Sequence, residues 1–417
     1  MSDEVRDELI ETPNRRGSGA FKWDLAGEDE IPMWVADMDF SVAPEITDAL
    51  RRRIEHPIFG YTGVPDSYRN ALAHWEVRRN QWEIDPRHMV VVPSVMPAMA
   101  VAVEALTTPG DRVVTFSPVY FPFFETVKTM GRTLVRVPLV ERDTVDGGVQ
   151  YAMDYTALAE ALEGAALFLF CSPHNPGGRV WTQSELMTLH QTVSSADVPV
   201  IADEIHSDLV FPGERFVPWL AVGPATERDM ALVAPSKTFN IPGLPTATAI
   251  IPGDTWRDGY KRALNAHMLR LPNILALTAA EAAYRHGDRW LDTIQETIQQ
   301  RYAQLRRVLT PEPGVRVHTM EGTFIAWIDL RERWGMPRGH SPAPLPASAA
   351  VPDEAAGESV SMRFGRIARR QGVWLSDGSQ FGPEGEGFMR MNIATSERNV
   401  AEGVARFRRA LQEFDTR

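Results

Sequence analysis

Residues 165–171 read AALFLFC and run straight into Ser172-Pro173-His174-Asn175-Pro176-Gly177-Gly178. Seven apolar, aromatic-rich residues ended by a Pro/Gly break predict a strand buried on both faces. Thr182 and Glu185 follow at capping-box spacing, which predicts a helix of about three turns. Residues 198–202 form a second buried run, ending at Asp203. Residues 231–234 form a third, just before Ser236-Lys237, and residues 246–251 a fourth. Short apolar strands alternating with helices predict an α/β fold, with a mainly parallel sheet sandwiched by helices. Ligands of such sheets bind outside the carboxyl ends of the strands. Asn175, Asp203 and Lys237 all fall at or just past a predicted strand end.

Outward from this core, residues 44–56 read as a helix with Ile46, Leu50 and Ile54 on one face. Residues 89–92 form an apolar strand ended by Pro93-Ser94, with a helix expected through 98–106. After the turn signal Pro109-Gly110-Asp111, residues 112–116 read as a buried strand running into Ser117-Pro118-Val119-Tyr120. Later in the chain, Leu291, Ile294, Ile298, Tyr302 and Leu305 recur at helical spacing. Strands are expected at 323–330 and 388–394. Val400, Val404, Phe407, Leu411 and Phe414 stripe a final helix. This predicts a smaller α+β domain. The expected division is 1–48 (arm and part of the small domain), 49–286 (large domain) and 287–417 (small domain). Residues 337–358, rich in Pro, Ala and Ser, predict an exposed mobile loop.

The 417 residues are 44% hydrophobic and 24% charged, as in soluble globular proteins. No run approaches the roughly 20 apolar residues of a membrane span. With 43 basic and 55 acidic residues the net charge is −12, which argues against a general grip on nucleic acid or anionic lipid. The polar, acidic N-terminus lacks the apolar core of a secretory signal, so the expected location is the cytoplasm. Cys171 is the only cysteine, which rules out an intrachain disulfide and a cysteine zinc site. No P-loop or HExxH pattern is present. Gly382, Gly385 and Gly387 have the wrong order for a dinucleotide fingerprint and read as a flexible turn.

Only four lysines occur: Lys22, Lys128, Lys237 and Lys261. Lys237 lies in Ala234-Pro235-Ser236-Lys237-Thr238-Phe239-Asn240. An ammonium beside Phe239 and apolar strand residues loses solvation, which lowers its pKa and frees the amine. That is what an imine-forming lysine needs. By itself the pattern fits a solvated loop lysine better. Lys22 falls in the polar arm, and Lys128 and Lys261 in polar surroundings, so a Schiff-base enzyme would have to use Lys237. Asp203 either caps a turn or meets a cation, such as a pyridinium nitrogen. Asn175 could stabilise its own turn. Tyr120 stands on a Pro-flanked loop, where an aromatic face can meet a ligand. Arg390 shares a strand face with Phe388 and Asn392, opposite Met389 and Met391. It reads as a surface arginine or as a bidentate carboxylate clamp.

Seven segments, in order, bear on this choice: Pro32-Met33-Trp34-Val35-Ala36-Asp37-Met38-Asp39-Phe40; Phe59-Gly60-Tyr61-Thr62; Ser117-Pro118-Val119-Tyr120; Pro173-His174-Asn175-Pro176; Ala202-Asp203-Glu204-Ile205-His206; Ser236-Lys237-Thr238-Phe239-Asn240; and Phe381-Gly382-Pro383-Glu384-Gly385 with Met389-Arg390-Met391-Asn392. Together they resemble the fold-type I enzymes of the class I/II aminotransferase superfamily, which depend on pyridoxal 5'-phosphate (PLP). More narrowly they resemble the MalY/PatB cystathionine β-lyase group.

The resemblance implies roles. Lys237 would hold PLP covalently, and Asp203 would keep the pyridine nitrogen protonated. Asn175 would bond the 3′-oxygen, with His206 beside it. Tyr120 would stack on the ring. The amides of Ser94, Val95 and Met96, with Ser236, would receive the phosphate. Tyr61 would reach the phosphate of a neighbouring subunit, which implies a homodimer with shared sites. Arg390 would clamp the substrate carboxylate. Ser94 stands where the group has Gly, and Gly243-Leu244-Pro245-Thr246 lacks the arginine that many aminotransferases carry for the phosphate. The implied activity is a carbon–sulfur β-lyase cleaving cystathionine or related S-substituted cysteines. The alternative is an aminotransferase acting on an L-amino acid and a 2-oxo acid. No basic helix-turn-helix extension supports a DNA-binding role.

Overall fold

The computed structural model describes residues 9–145, 147–224, 226–337 and 358–416. The main sheet has seven strands: β1 (Met89–Val92), β2 (Arg112–Ser117), β3 (Thr133–Pro138), β4 (Ala165–Cys171), β5 (Val200–Asp203), β6 (Met230–Val233) and β7 (Ala247–Ile250). Their order in space is β1-β7-β6-β5-β4-β2-β3.

The β4 pattern has the predicted cause. Leu167, Leu169 and Cys171 enter one apolar cluster, while Phe168 and Phe170 enter another on the opposite face. Helices Val95–Leu106 and Asp254–Ala266 cover the first face, and Tyr155–Leu162 and Gln183–Ser195 cover the second. Strand pairing is parallel except at β7, which runs antiparallel to both β1 and β6. Between β6 and β7 the only helix is the four-residue Pro235–Thr238. That is too little chain to cross back over the sheet as a parallel partner requires, so the strand returns antiparallel.

A second, antiparallel sheet comprises β8 (Arg316–Val317), β9 (Ile325–Asp329), β10 (Ser376–Asp377) and β11 (Phe388–Asn392), in the order β8-β9-β11-β10. The predicted stripes pack against it. Leu291, Ile294, Ile298 and Leu305 of helix Asp288–Leu309 are buried, as are Val400, Val404, Phe407 and Leu411 of helix Glu397–Asp415. Phe414 is only partly buried. The helix at Pro44–Glu55 departs from expectation, because Ile46 is buried but Ile54 is exposed. Its C-terminal half leads into an open stretch where Ile58, Phe59 and Tyr61 also face outward. The Pro/Ala/Ser-rich loop expected at 337–358 lies, but for its two end residues, outside the described residues.

The N-terminal arm enters a further, two-stranded sheet. Ile31–Pro32 pairs in parallel with Val373–Trp374. Lys22, read from sequence as an arm residue in polar surroundings, is in fact buried. Its Nζ meets Asp39 at 3.0 Å and Asp37 at 3.7 Å. Arg15 bonds the same two carboxylates at 2.8 and 2.7 Å. Four charges compensating one another explain how a lysine of this polar arm can be buried.

The capping box at Thr182 and Glu185 forms in both directions. Thr182→Ala is expected to destabilise the fold by about 1 kcal/mol, read as a lower urea midpoint with an unchanged slope. A midpoint equal to wild type would show that the helix does not depend on this cap.

Candidate active site

A cavity of about 140 Å³ opens at the carboxyl ends of the central strands, lined chiefly by Ser94, Tyr120, Asn175, Asp203, His206 and Lys237. Val95 and Met96 complete the predicted set within it, together with Ala36, Cys171 and Ile205. Strand topology explains the convergence. Cys171 pairs with Asp203, and Asp203 with Leu232, so the ends of β4, β5 and β6 lie side by side. Helix Pro235–Thr238 turns the chain back by one turn and returns Lys237 over Asp203.

Burial sets the electrostatics. The Lys237 amine is pulled down to about 8, mainly by desolvation; Asp37 and Asp203 oppose this and Arg390 assists it. Its Nζ donates to the Ala36 carbonyl oxygen. Burial pushes the Asp203 carboxyl up to about 7, against the backbone N–H of Ile205 and the charge of Lys237. Asp203 Oδ1 accepts that N–H at 3.1 Å. His206 is driven down to about 3 by burial and by the cations Lys237 and Arg390, so its imidazole is neutral. Among the described residues its buried Nδ1 has no hydrogen-bond partner. Cys171 behaves as the small core residue expected at the end of a strand, its thiol pushed up by burial.

Ser94 stands at the N-cap of helix Val95–Leu106, and its side chain makes no capping bond. The N–H groups of that first turn have no intrahelical acceptors, which makes the helix end a ready anion site. Ser236, Tyr61 and Arg390 do not line the cavity. Ser236 lies one residue before Lys237. Tyr61 is 95% exposed, away from this chain's own cavity. Arg390 is buried in the middle of the second sheet, opposite Trp327 and Ser376.

Arg390 reaches toward the cavity. Its Nη1 donates to Asn175 Oδ1 at 3.3 Å, and its Nη2 to Trp34 O at 2.8 Å and Ser376 Oγ at 3.2 Å. Its guanidinium stands 4.8 Å over the Phe381 ring. Among the described residues all its acceptors are neutral, and burial lowers its pKa to about 10. The glycine run read as a flexible turn is tightly packed: a Cβ on Gly378 or Gly385 would lie 2.1 Å from the other's carbonyl oxygen. This packing seats Phe381 beneath Arg390.

Several neighbours escaped sequence reading. The carbonyls of Trp34 and Ala36 are acceptors for Arg390 and Lys237, and no side-chain pattern marks a carbonyl. Asn240 and Asn392 bind the same segment from opposite sides. The signal for both was their place inside two of the matching segments.

The donor set suits PLP. An amine of lowered pKa, a buried carboxyl raised by burial, a neutral imidazole, a half-buried aromatic ring and a free helix N-terminus match an aldehyde, a pyridine nitrogen, a ring oxygen, a ring face and a phosphate. The chain belongs to the aminotransferase class I and II family, which matches residues 28–407. It is 35% identical to cystathionine β-lyase PatB of Bacillus subtilis, over 95% of this chain and 98% of that one. Cystalysin of Treponema denticola, whose structure contains PLP, superposes with a TM-score of 0.86 at 28% identity, covering 97% and 98% of the two chains. The PLP-bound C–S lyase of Staphylococcus hominis superposes at 0.84, with 28% identity and 97% and 99% coverage. These likenesses bear out the expected fold-type I architecture.

Asp203 generates a stability test. The folded chain holds its proton up to about pH 7, while the unfolded carboxyl releases it near 3.8. Between these values the folded state binds more protons, so rising pH lowers stability. Asp203→Asn is expected to flatten that part of the fall in cofactor-free protein, measured as urea midpoints across the window. An unchanged slope would contradict burial as the cause.

Proposed function

We propose that this enzyme is a PLP-dependent carbon–sulfur β-lyase, converting cystathionine or a related S-substituted cysteine, with water, to a thiol, pyruvate and ammonia. The observation that carries this reading is the buried Lys237 amine beside Asp203, in a chain akin over nearly its whole length to cystathionine β-lyases.

PLP, when bound, supplies a conjugated sink for negative charge developing at the substrate α-carbon. Asp203 faces the cavity as a carboxyl that gains by meeting a protonated nitrogen. Asn175 and the neutral His206 offer polar atoms to the ring oxygen, and Tyr120 its aromatic face. Val95 and Met96 present backbone N–H groups to the phosphate, with Ser94 and Ser236 beside them. Arg390 binds the α-carboxylate, which gives its guanidinium the anion it lacks. The Lys237 amine, with a pKa of about 8, is near the optimum for a general base at neutral pH. It takes the α-proton while the thiolate leaves from the β-carbon.

The reading includes a homodimer with shared sites. Ile54, Ile58, Phe59 and the 95%-exposed Tyr61 form an outward apolar stretch that a second copy would cover, with Tyr61 directed to the partner's phosphate. It also keeps the division into 1–48, 49–286 and 287–417, supported by the separation of the seven-stranded sheet from the four-stranded one. No helix among the described residues is long and apolar enough to cross a membrane. A cytoplasmic location, compatible with one buried cysteine, completes the reading.

Purified enzyme given cystathionine is expected to release pyruvate and free thiol in equal amounts. Glutamate formation from an amino acid and 2-oxoglutarate, without thiol release, would favour the aminotransferase instead. Lys237→Ala is expected to abolish the absorbance band of the lysine-bound cofactor; a retained band would refute the lysine assignment. Arg390→Ala is expected to lower kcat/KM roughly 30-fold or more, chiefly through KM, because a buried charge pair is lost. Equal loss with a substrate lacking the α-carboxylate would remove that role.

A further inference from the structure

The segment from Trp34 to Asp37 presents its carbonyls alternately. Trp34 O accepts from Arg390 Nη2 at 2.8 Å, and Ala36 O accepts from Lys237 Nζ. Val35 O and Asp37 O point the other way, and both accept from Asn392 Nδ2 at 2.6 Å. Backbone bonds pin the two flanks: Asn392 N–H donates to Met33 O at 2.8 Å and Asp39 N–H to Ala394 O at 2.9 Å. Between those pins the segment leaves the strand, and two β11 side chains bridge the gap: Arg390 at Trp34 O, where Ser376 Oγ also donates at 3.0 Å, and Asn392 at Val35 O and Asp37 O, the latter also accepting from Lys22 Nζ at 3.2 Å. The remaining polar atom of Asn392 is also used, since Oδ1 accepts from Ala394 N–H at 2.8 Å.

We infer that Asn392 is a positioning residue: by spending both amide hydrogens on Val35 O and Asp37 O, it aims the alternate carbonyls, Trp34 O and Ala36 O, at Arg390 and Lys237. Asn392 lies two residues after Arg390 on β11, so one strand carries both the arginine and the clamp that places its acceptor. The clamp also fixes the backbone of Asp37, whose carboxylate Arg15 holds at 2.7 Å from the far side. Asp37 is the acid that most favours the charged form of Lys237, while Asp203 acts in the same sense and Arg390 opposes both. The inference rests on the PLP-lyase reading for the roles of Lys237 and Arg390. Substituting Asn392 therefore disturbs both ends of the substrate's α-amino acid group.

Asn392→Ala and Asn392→Asp both lack the donors but differ in charge, so an effect common to both belongs to the hydrogen bonds. Met391→Ala, on the opposite, core-facing side of the same strand, serves as the control for lost stability alone. Three quantities are measured: the thermal midpoint, the pH midpoint of the lysine-bound cofactor absorbance without substrate, and KM and kcat with cystathionine. Both Asn392 variants are expected to lower kcat/KM at least tenfold, with KM raised, and to move the absorbance midpoint downward. Met391→Ala is expected to lose thermal stability with its absorbance midpoint and KM unchanged. If the Asn392 variants differ from wild type only as Met391→Ala does, the positioning role falls. If either Asn392 variant fails to fold, the other decides. The absorbance titration needs no substrate, so it tests the clamp even when cystathionine is not cleaved. A wild-type chain that binds no PLP overturns the functional reading and this inference together.

Discussion

The site depends on holding an amine and a carboxyl near each other, in a dry place, without letting them pair. Asp203 and Lys237 act on each other only through space, and burial weakens the charged form of both. A direct ion pair would relieve part of that cost and would also close the gap. The sheet prevents it. Asp203 is fixed at the end of β5 and tied by the Ile205 N–H, while the Lys237 amine is held by a backbone carbonyl. Parallel strands spaced about 4.8 Å apart set the separation of their ends more rigidly than loops could. The cavity is thus a consequence of topology, kept open by acceptors other than the obvious one.

The N-terminal arm is the second support. Residues 34–40 contribute no regular strand of the main sheet, yet they hold both of the site's cations, Arg390 and Lys237. Asn240 holds Met38 and Phe40 through its side chain, at a left-handed φ of 55° that asparagine tolerates better than most residues. Arg15 and Lys22 neutralise Asp37 and Asp39 from the outer side. Removing one member of such a buried set would leave its partners uncompensated, which costs more than the set as a whole contributes. The arm therefore acts as one unit with the segment it covers.

The sequence made the main sheet legible because β4, β5 and β6 are buried on both faces and read as unbroken apolar runs. It was less informative where burial is one-sided or shared. Helix Asp66–Asn80 carries no clean stripe, because Tyr68, Ala71, Leu72, Ala73, Trp75 and Glu76 are buried around most of its girth. Ile54 belongs to a helical stripe that this chain alone leaves exposed. β7 read as another sheet strand, but its direction depends on the short connection before it, not on its own residues. At the site, Lys237, Asp203 and Asn175 were legible as side chains at strand ends and Tyr120 as a ring on a Pro-flanked loop, while His206 entered only through the resemblance; all five line the cavity. Lys22 was not legible: a lysine among polar neighbours looks solvated until the fold supplies Asp37 and Asp39, far along the chain.

Arg390 shows why a strand pattern can identify a residue and still misjudge its setting. Alternation with Met389 and Met391 correctly turns it from the main apolar cluster, which suggests solvent. The structure instead roofs that face with Phe381, Trp34 and Asn175. A guanidinium held by neutral acceptors alone is costly in a dry site, and the lowering of its pKa expresses that cost. The cost is incurred before substrate arrives, so an incoming carboxylate meets a fork already oriented and stripped of water. A carboxylate satisfies the fork in two places and cancels its charge. On the proposed reading, selection for α-amino acids is then a property of the unliganded site, while the fate of the α-proton is left to Lys237.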